Sequence, residues 1–186
     1  SAVTVFSNNF LMALNPQITK HYASGDIKQS LTLVHLGSRM SFVLLLVLAM
    51  PILFNTEYVL ALWLKQVPDY SVPFVRLALL LSLSESFSGP LITIMLATGR
   101  IRNYQIIVGG MQLMNLPIAY FLLKCGLSPI SVFILAIIIS QFCFWLRLGL
   151  LKGMVGLDIK QFFFSVYLRC LLVAVVSFVI LIEVNR

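Results

Sequence analysis

Residues 73–99, PFVRLALLLSLSESFSGPLITIMLATG, decide how the rest of the chain is read. The stretch is long and apolar enough to cross a bilayer, which takes about 20 residues as a helix. Yet it carries Arg76, Glu85, the alternating serines Ser82, Ser84, Ser86 and Ser88, and a Gly89-Pro90 pair. An ionisable group inside a span is costly to hold in hydrocarbon and therefore marks a functional position. A Gly-Pro pair halfway along frees backbone groups, which are tolerated where protein or a water-filled cavity surrounds them. A charged, polar, bent helix in an apolar chain implies a pathway through the membrane.

The remainder of the chain fits that reading. Of its 186 residues, 60% are hydrophobic and only 10% are charged, and the mean hydropathy is +1.02. These are membrane values and exclude an ordinary soluble domain. The net charge of +7 does not imply nucleic acid as a partner, because its placement matters more than its sum. Cys125, Cys143 and Cys170 are widely separated and show no CxxC spacing, so they read as small apolar filler rather than a disulfide framework or zinc site. No Walker A loop, HExxH helix or GxSxG elbow is present, and neither a metal nor a cofactor is expected. The sequence opens on Ser1 inside an apolar segment with no signal-peptide pattern, as expected for a piece of a longer membrane protein.

Apolar runs and their breaks predict an all-α, polytopic membrane helix bundle, a single membrane domain over residues 1–186. The expected spans are 1–14 (partial), 31–54, 73–98, 104–123, 130–151 and 162–182. Asn8 and Asn9 interrupt the first, and Asn15-Pro16 biases the chain away from helix at its exit. The segment TEYVLALWL after the second span would lie in the interface, where Tyr58 and Trp63 are belt residues. Loop charges test the map. Lys20, Lys28, Arg39, Arg100, Arg102, Arg147, Lys152 and Lys160 fall on one side, whereas Lys65, Lys124 and Arg186 fall on the other with Glu57, Asp69 and Glu183. The alternation places the basic side in the cytoplasm.

Within the spans, Arg76 and Glu85 are nine residues apart. At about 100° per residue they point to opposite faces, with a rise of roughly 13 Å, so they need different partners. Arg76 lies a turn beyond Pro73, where it would either snorkel to the interface or face a substrate. Glu85 is too deep to snorkel and shares its face with Ser82, Ser88 and Gly89, which suits either close helix packing or a hydrated cavity. Arg39, Arg147 and Arg169 lie near the basic side; each alone reads as an edge anchor, and together they would receive a phosphate or pyrophosphate. Asn115-Leu116-Pro117 repeats in the fourth span the break of the third, since Pro117 removes a bond to the carbonyl of Leu113. Paired broken helices point to transporter sites. GLLKG at 149–153 fits GxxxG weakly, and His35 reads as a helix-surface residue. HYASGD at 21–26 has the spacing of a His-Asp acyl-transfer pair, His21 with Asp26, but no second signature accompanies it.

Several stretches resemble polysaccharide flippases of the superfamily that also holds multidrug-and-toxin extruders and lipid II flippases. They are NPQITKHYASGD, EYVLALWL, SGPLITIMLATGRIRNYQIIVGGMQLMNLPIAY and RLGLLKGMVGL, and the resemblance extends over nearly the whole chain. The resemblance implies most of the second half of an exporter of about 12–14 spans in two halves around a cationic cavity. It further implies a bacterial inner-membrane protein that moves undecaprenyl-pyrophosphate-linked oligosaccharide for O-antigen or capsule synthesis, with no covalent chemistry. Partners would be that lipid-linked substrate, membrane lipids and the polysaccharide polymerase machinery. On this reading Arg39, Arg76, Arg147 and Arg169 are substrate-binding candidates and Glu85 a proton or cation site, while Gly89, Pro90 and Pro117 mark helix breaks. The alternatives are a small-molecule cation antiporter of the same superfamily and a membrane-embedded acyltransferase using His21 and Asp26.

Overall fold

Helix α1 (Ala2–Ala23) runs straight through the position where Asn15-Pro16 was expected to end it. Pro16 removes one backbone bond, but packing holds the helix on both sides of it: Leu14 and Ile18 are buried. The Asn15 side chain also accepts a 2.8 Å hydrogen bond from Thr93 Oγ1 on a neighbouring helix. The turn comes instead at Ser24-Gly25-Asp26, where Gly25 takes φ +82°, a left-handed conformation that suits glycine. Asp26 then caps α2 (Ile27–Phe54) by accepting from the backbone N–H of Gln29 at 3.0 Å.

This computed structural model describes residues 2–64 and 66–184, and the side chains of 9–64, 66–180 and 183. Lys65 and Arg186 of the charge count, and the side chain of Asn8, lie outside the described residues. Beyond α2 follow a short helix α3 (Thr56–Trp63), then α4 (Ser71–Glu85) and α5 (Ser88–Ala97), which together make one span. The next span is assembled from α6 (Ile101–Tyr104), a π-helical turn (Gln105–Gly109), α7 (Gly110–Leu113) and α8 (Asn115–Lys124). Helix α9 (Ile130–Val155) is continuous and ends at Gly156, whose φ of +70° closes it. The last span is α10 (Ile159–Phe162), a second π-helical turn (Phe163–Tyr167) and α11 (Leu168–Val184).

Among the described residues there is no strand, and five helical segments are long and apolar enough to cross a membrane. The chain is an all-α, multi-pass membrane protein. Burial is uneven: 44%, 44% and 39% of the most apolar windows of α2, α4–α5 and α9 are buried, against 11% for residues 101–124 and 11% for 159–180. The spans of α2, α4–α5 and α9, with α1, therefore form the centre, and the other two present their apolar faces outward. Tyr58 and Trp63 of α3 are exposed, as an interfacial helix requires.

Two tight approaches fix α1 against this centre. A Cβ on Gly37 would run into the Leu14 side chain and come within 3.0 Å of the Pro90 ring, and a Cβ on Gly89 would meet Leu11 at 2.6 Å. Gly89 thus makes room for a neighbour. Gly149 and Gly153 have open space where a Cβ would go, so GLLKG packs nothing. An aromatic cluster joins the remaining helices: Phe87 stacks on Phe42 at 4.7 Å and tilts against Phe144 at 6.0 Å, and Phe144 stacks on Tyr167 at 5.4 Å. The ring of half-buried His35 sits 5.1 Å from that of Phe162 beside the same cluster.

Candidate functional site

The interruption between α4 and α5 falls at Ser86-Phe87, one turn before Gly89-Pro90. Pro90 is the cause, because it has no N–H for the carbonyl four residues earlier, that of Ser86, and its ring crowds that oxygen. Ser86 and Phe87 keep right-handed helical angles, so the chain bends without unwinding. Ser38 of α2 donates a 3.2 Å hydrogen bond to the Phe87 carbonyl, the kind of neighbouring hydroxyl that steadies an irregular turn in a membrane. Phe87 itself is turned inward and only 2% exposed. The same device recurs in the next span: the irregularity at Met114 lies three residues before Pro117.

The bend opens a cavity of about 430 Å³ against the centre of the bundle. Its polar wall comes from Ser82, Glu85, Ser86 and Ser88 of the bent span, Gln112 of α7 and Arg147 of α9. A second space of about 220 Å³ shares Glu85 and Gln112 and adds Asn115 and Ser140. Polar residues from three spans therefore line two adjoining spaces, with Glu85 and Gln112 in the walls of both.

Arg147 is the strongest feature of the site. It is 4% exposed, and its Nη1 donates to Ser88 Oγ at 2.8 Å. Among the described residues its buried Nε has no partner, and neither has the Oδ1 of Asn115 in the wall of the smaller space. Glu85 and Arg147 are close enough for their charges to interact, although no direct ion pair within 4 Å joins them among the described residues. The site thus offers a fixed guanidinium with free hydrogen-bonding capacity, a carboxylate nearby, and hydroxyl and amide groups between them. Such a set holds an oxyanion and can exchange a proton or cation beside it; among the described residues no cluster suits a metal ion.

The other expected residues are dispersed. Arg76 lies in the wall of a separate apolar groove, with Nε donating to Thr56 Oγ1 at 3.4 Å. Arg39 is half-buried and Arg169 exposed, and neither lines any of these cavities. Of the four arginines, only Arg147 shares a cavity with Glu85. Ser82, Ser88 and Gly89 do share the Glu85 face, and all line the larger cavity. Gln112 and Ser140 were missed in the sequence; Gln112 stands three residues before Asn115 in an apolar run, a spacing that puts both on one helix face. His21 Nδ1 and Asp26 Oδ2 are 3.8 Å apart at an exposed turn, while Asp26 Oδ1 is occupied by the cap of α2. No family model, no curated protein and no solved structure matches this chain.

Proposed function

We propose that the chain is part of a bacterial inner-membrane transporter that flips undecaprenyl-pyrophosphate-linked oligosaccharide between leaflets. The observation that carries this reading is Arg147, a buried cation tethered by Ser88, with its buried Nε unpartnered among the described residues, in the wall of a polar cavity. A pyrophosphate supplies the oxygens that a guanidinium binds in bidentate fashion. The glycan hydroxyls would pass along Ser82, Gln112 and Asn115, and the polyprenyl tail would stay in lipid. The resemblance of four stretches of sequence to polysaccharide flippases supports the same substrate class.

Glu85 supplies the coupling. With its carboxylate charged, it competes with a phosphate for Arg147; once it takes up a proton or another cation, Arg147 is free for the substrate. Binding and release would then alternate with the occupancy of Glu85, as an ion-driven flippase needs. No covalent step is assigned to any residue.

The test is leaflet translocation of the lipid-linked oligosaccharide by the intact protein in vesicles. Arg147→Gln is expected to reduce translocation about tenfold or more, the loss of one charge-assisted contact. Glu85→Gln is expected to remove its dependence on an imposed ion gradient, and Arg169→Gln to leave it unchanged. Full translocation by Arg147→Gln at normal membrane levels would sink the proposal. A second reading, a small-molecule cation antiporter, is favoured by the position of Glu85 in the walls of both spaces. In that case cation exchange survives Arg147→Gln and is abolished by Glu85→Gln.

A further inference from the structure

On the opposite side of α4 from Glu85 lies a groove of about 580 Å³ between α2, α4 and α11. Its walls are apolar, from Leu46 to Phe54 on α2, at Leu80 and Leu83 on α4, and from Leu171 to Phe178 on α11. Among the described residues, Arg76 is the one charged residue that lines it. Each wall covers seven or eight residue steps, about 10–12 Å along a helix. Successive spans run in opposite directions, so residues 54, 76 and 178 fall at one end and 46, 83 and 171 at the other. The groove therefore runs across the membrane plane, with its cation at the end nearer the interface.

The guanidinium at that end is held on one side only. Arg76 Nε donates to Thr56 Oγ1, and the Thr56 hydroxyl is itself anchored on the Ile52 carbonyl at 2.6 Å. The two terminal Nη groups have no protein partner among the described residues and remain open to an anion. Val175 and Phe178 on α11 are exposed, so the groove opens toward lipid.

We propose that this groove is a binding site for an anionic glycerophospholipid, with an acyl chain between α2, α4 and α11 and the phosphate on Arg76. Charge complementarity selects this occupant. A cation at headgroup depth pairs with a phosphodiester, whereas a zwitterionic headgroup brings its own ammonium against it. The apolar walls match the chain, and the groove has the orientation a lipid has in a leaflet. Bound there, the lipid would tie the sparsely buried α11 span to the centre of the bundle. The site is independent of the transport reading, since it shares no lining residue with the Glu85–Arg147 cavity.

Native mass spectrometry of the intact protein, with added phosphatidylglycerol, phosphatidylethanolamine or undecaprenyl phosphate, tests the proposal. Phosphatidylglycerol is expected to give a persistent one-to-one adduct, weakened about tenfold or more by Arg76→Gln. Ala174→Trp, which fills the groove without touching the cation, should also remove it, and Arg169→Gln should leave it intact. The proposal is overturned by equal retention of phosphatidylethanolamine, preferential retention of undecaprenyl phosphate, or adducts unchanged in both groove variants. A change of oligomeric mass in Ala174→Trp with no lipid adduct in wild type would instead assign the groove to another copy of the chain, and also overturns it.

Discussion

Arg147 is costly where it stands: a charge 4% exposed within a membrane span, with one hydrogen bond to Ser88 and Nε unpartnered among the described residues. A structural role would call for full satisfaction, because a half-paired buried charge is worse for stability than an apolar residue of similar size. The incomplete pairing is instead what a binding group needs. Stability measurements separate the two roles. Arg147→Met is expected to unfold at a temperature equal to or above that of wild type, since replacing a buried ionic group by a hydrophobe of similar volume is often neutral or stabilising. Ser88→Ala, which keeps the charge and deletes its partner, is expected to cost about 1–3 kcal/mol. Thermal unfolding of the purified protein in one detergent checks both. If Arg147→Met destabilises more than Ser88→Ala, Arg147 is a structural residue.

At the scale of elements, two prolines act alike: Pro90 and Pro117 each stand third in a helical segment, just after an irregular position. Both were legible in the sequence, because a missing N–H has a fixed consequence four residues upstream. The continuity of α1 through Pro16 was not legible. Local preference argues for an end at Asn15, and only the burial of Leu14 and Ile18 and the Thr93–Asn15 bond override it. Gly89 carries the same lesson. Its neighbour Pro90 makes it read as part of a break, whereas its missing side chain admits Leu11 from a helix some 78 positions away by the nearest paired residues, Asn15 and Thr93. Gly37 gave no sequence signal, yet it is the tighter contact because the Pro90 ring cannot rotate away as a leucine tip can. Gly37→Leu is therefore expected to lower stability by about 1–3 kcal/mol through overpacking. Gly149→Leu, in open space, should change it by less than about 0.5 kcal/mol. Denaturation of the two variants in parallel checks the contrast, and equal effects would remove the α1–α2–α5 contact as a determinant of the fold.

For the whole molecule, the all-α, multi-pass character was legible from hydropathy, because a span must satisfy its own backbone in lipid and a helix of fixed rise is the way to do so. Which side chains meet across the bundle was beyond that signal: the four arginines look equivalent in sequence, and the fold sends Arg76 to a groove and Arg147 to a cavity. Orientation, however, follows from charge. The turns at 24–26, 98–100 and 156–158 share one end and are flanked by Lys20, Lys28, Arg100, Arg102, Lys152 and Lys160. The opposite end holds Glu57, Asp69, Lys124 and Glu183 among the described residues. Such an asymmetry in short loops predicts that the basic end faces the cytoplasm. The chain carries its own reporter, because Cys125 is exposed at the less basic end while Cys143 and Cys170 are buried. A membrane-impermeant maleimide applied to intact spheroplasts is expected to label the wild type, and Cys125→Ser to abolish labelling. Ser24→Cys placed in the Cys125→Ser background should react only in inside-out vesicles, since Ser24 sits in the turn at the basic end. Labelling in the opposite pattern would invert the topology, putting the Arg76 end of the apolar groove in the cytoplasmic leaflet.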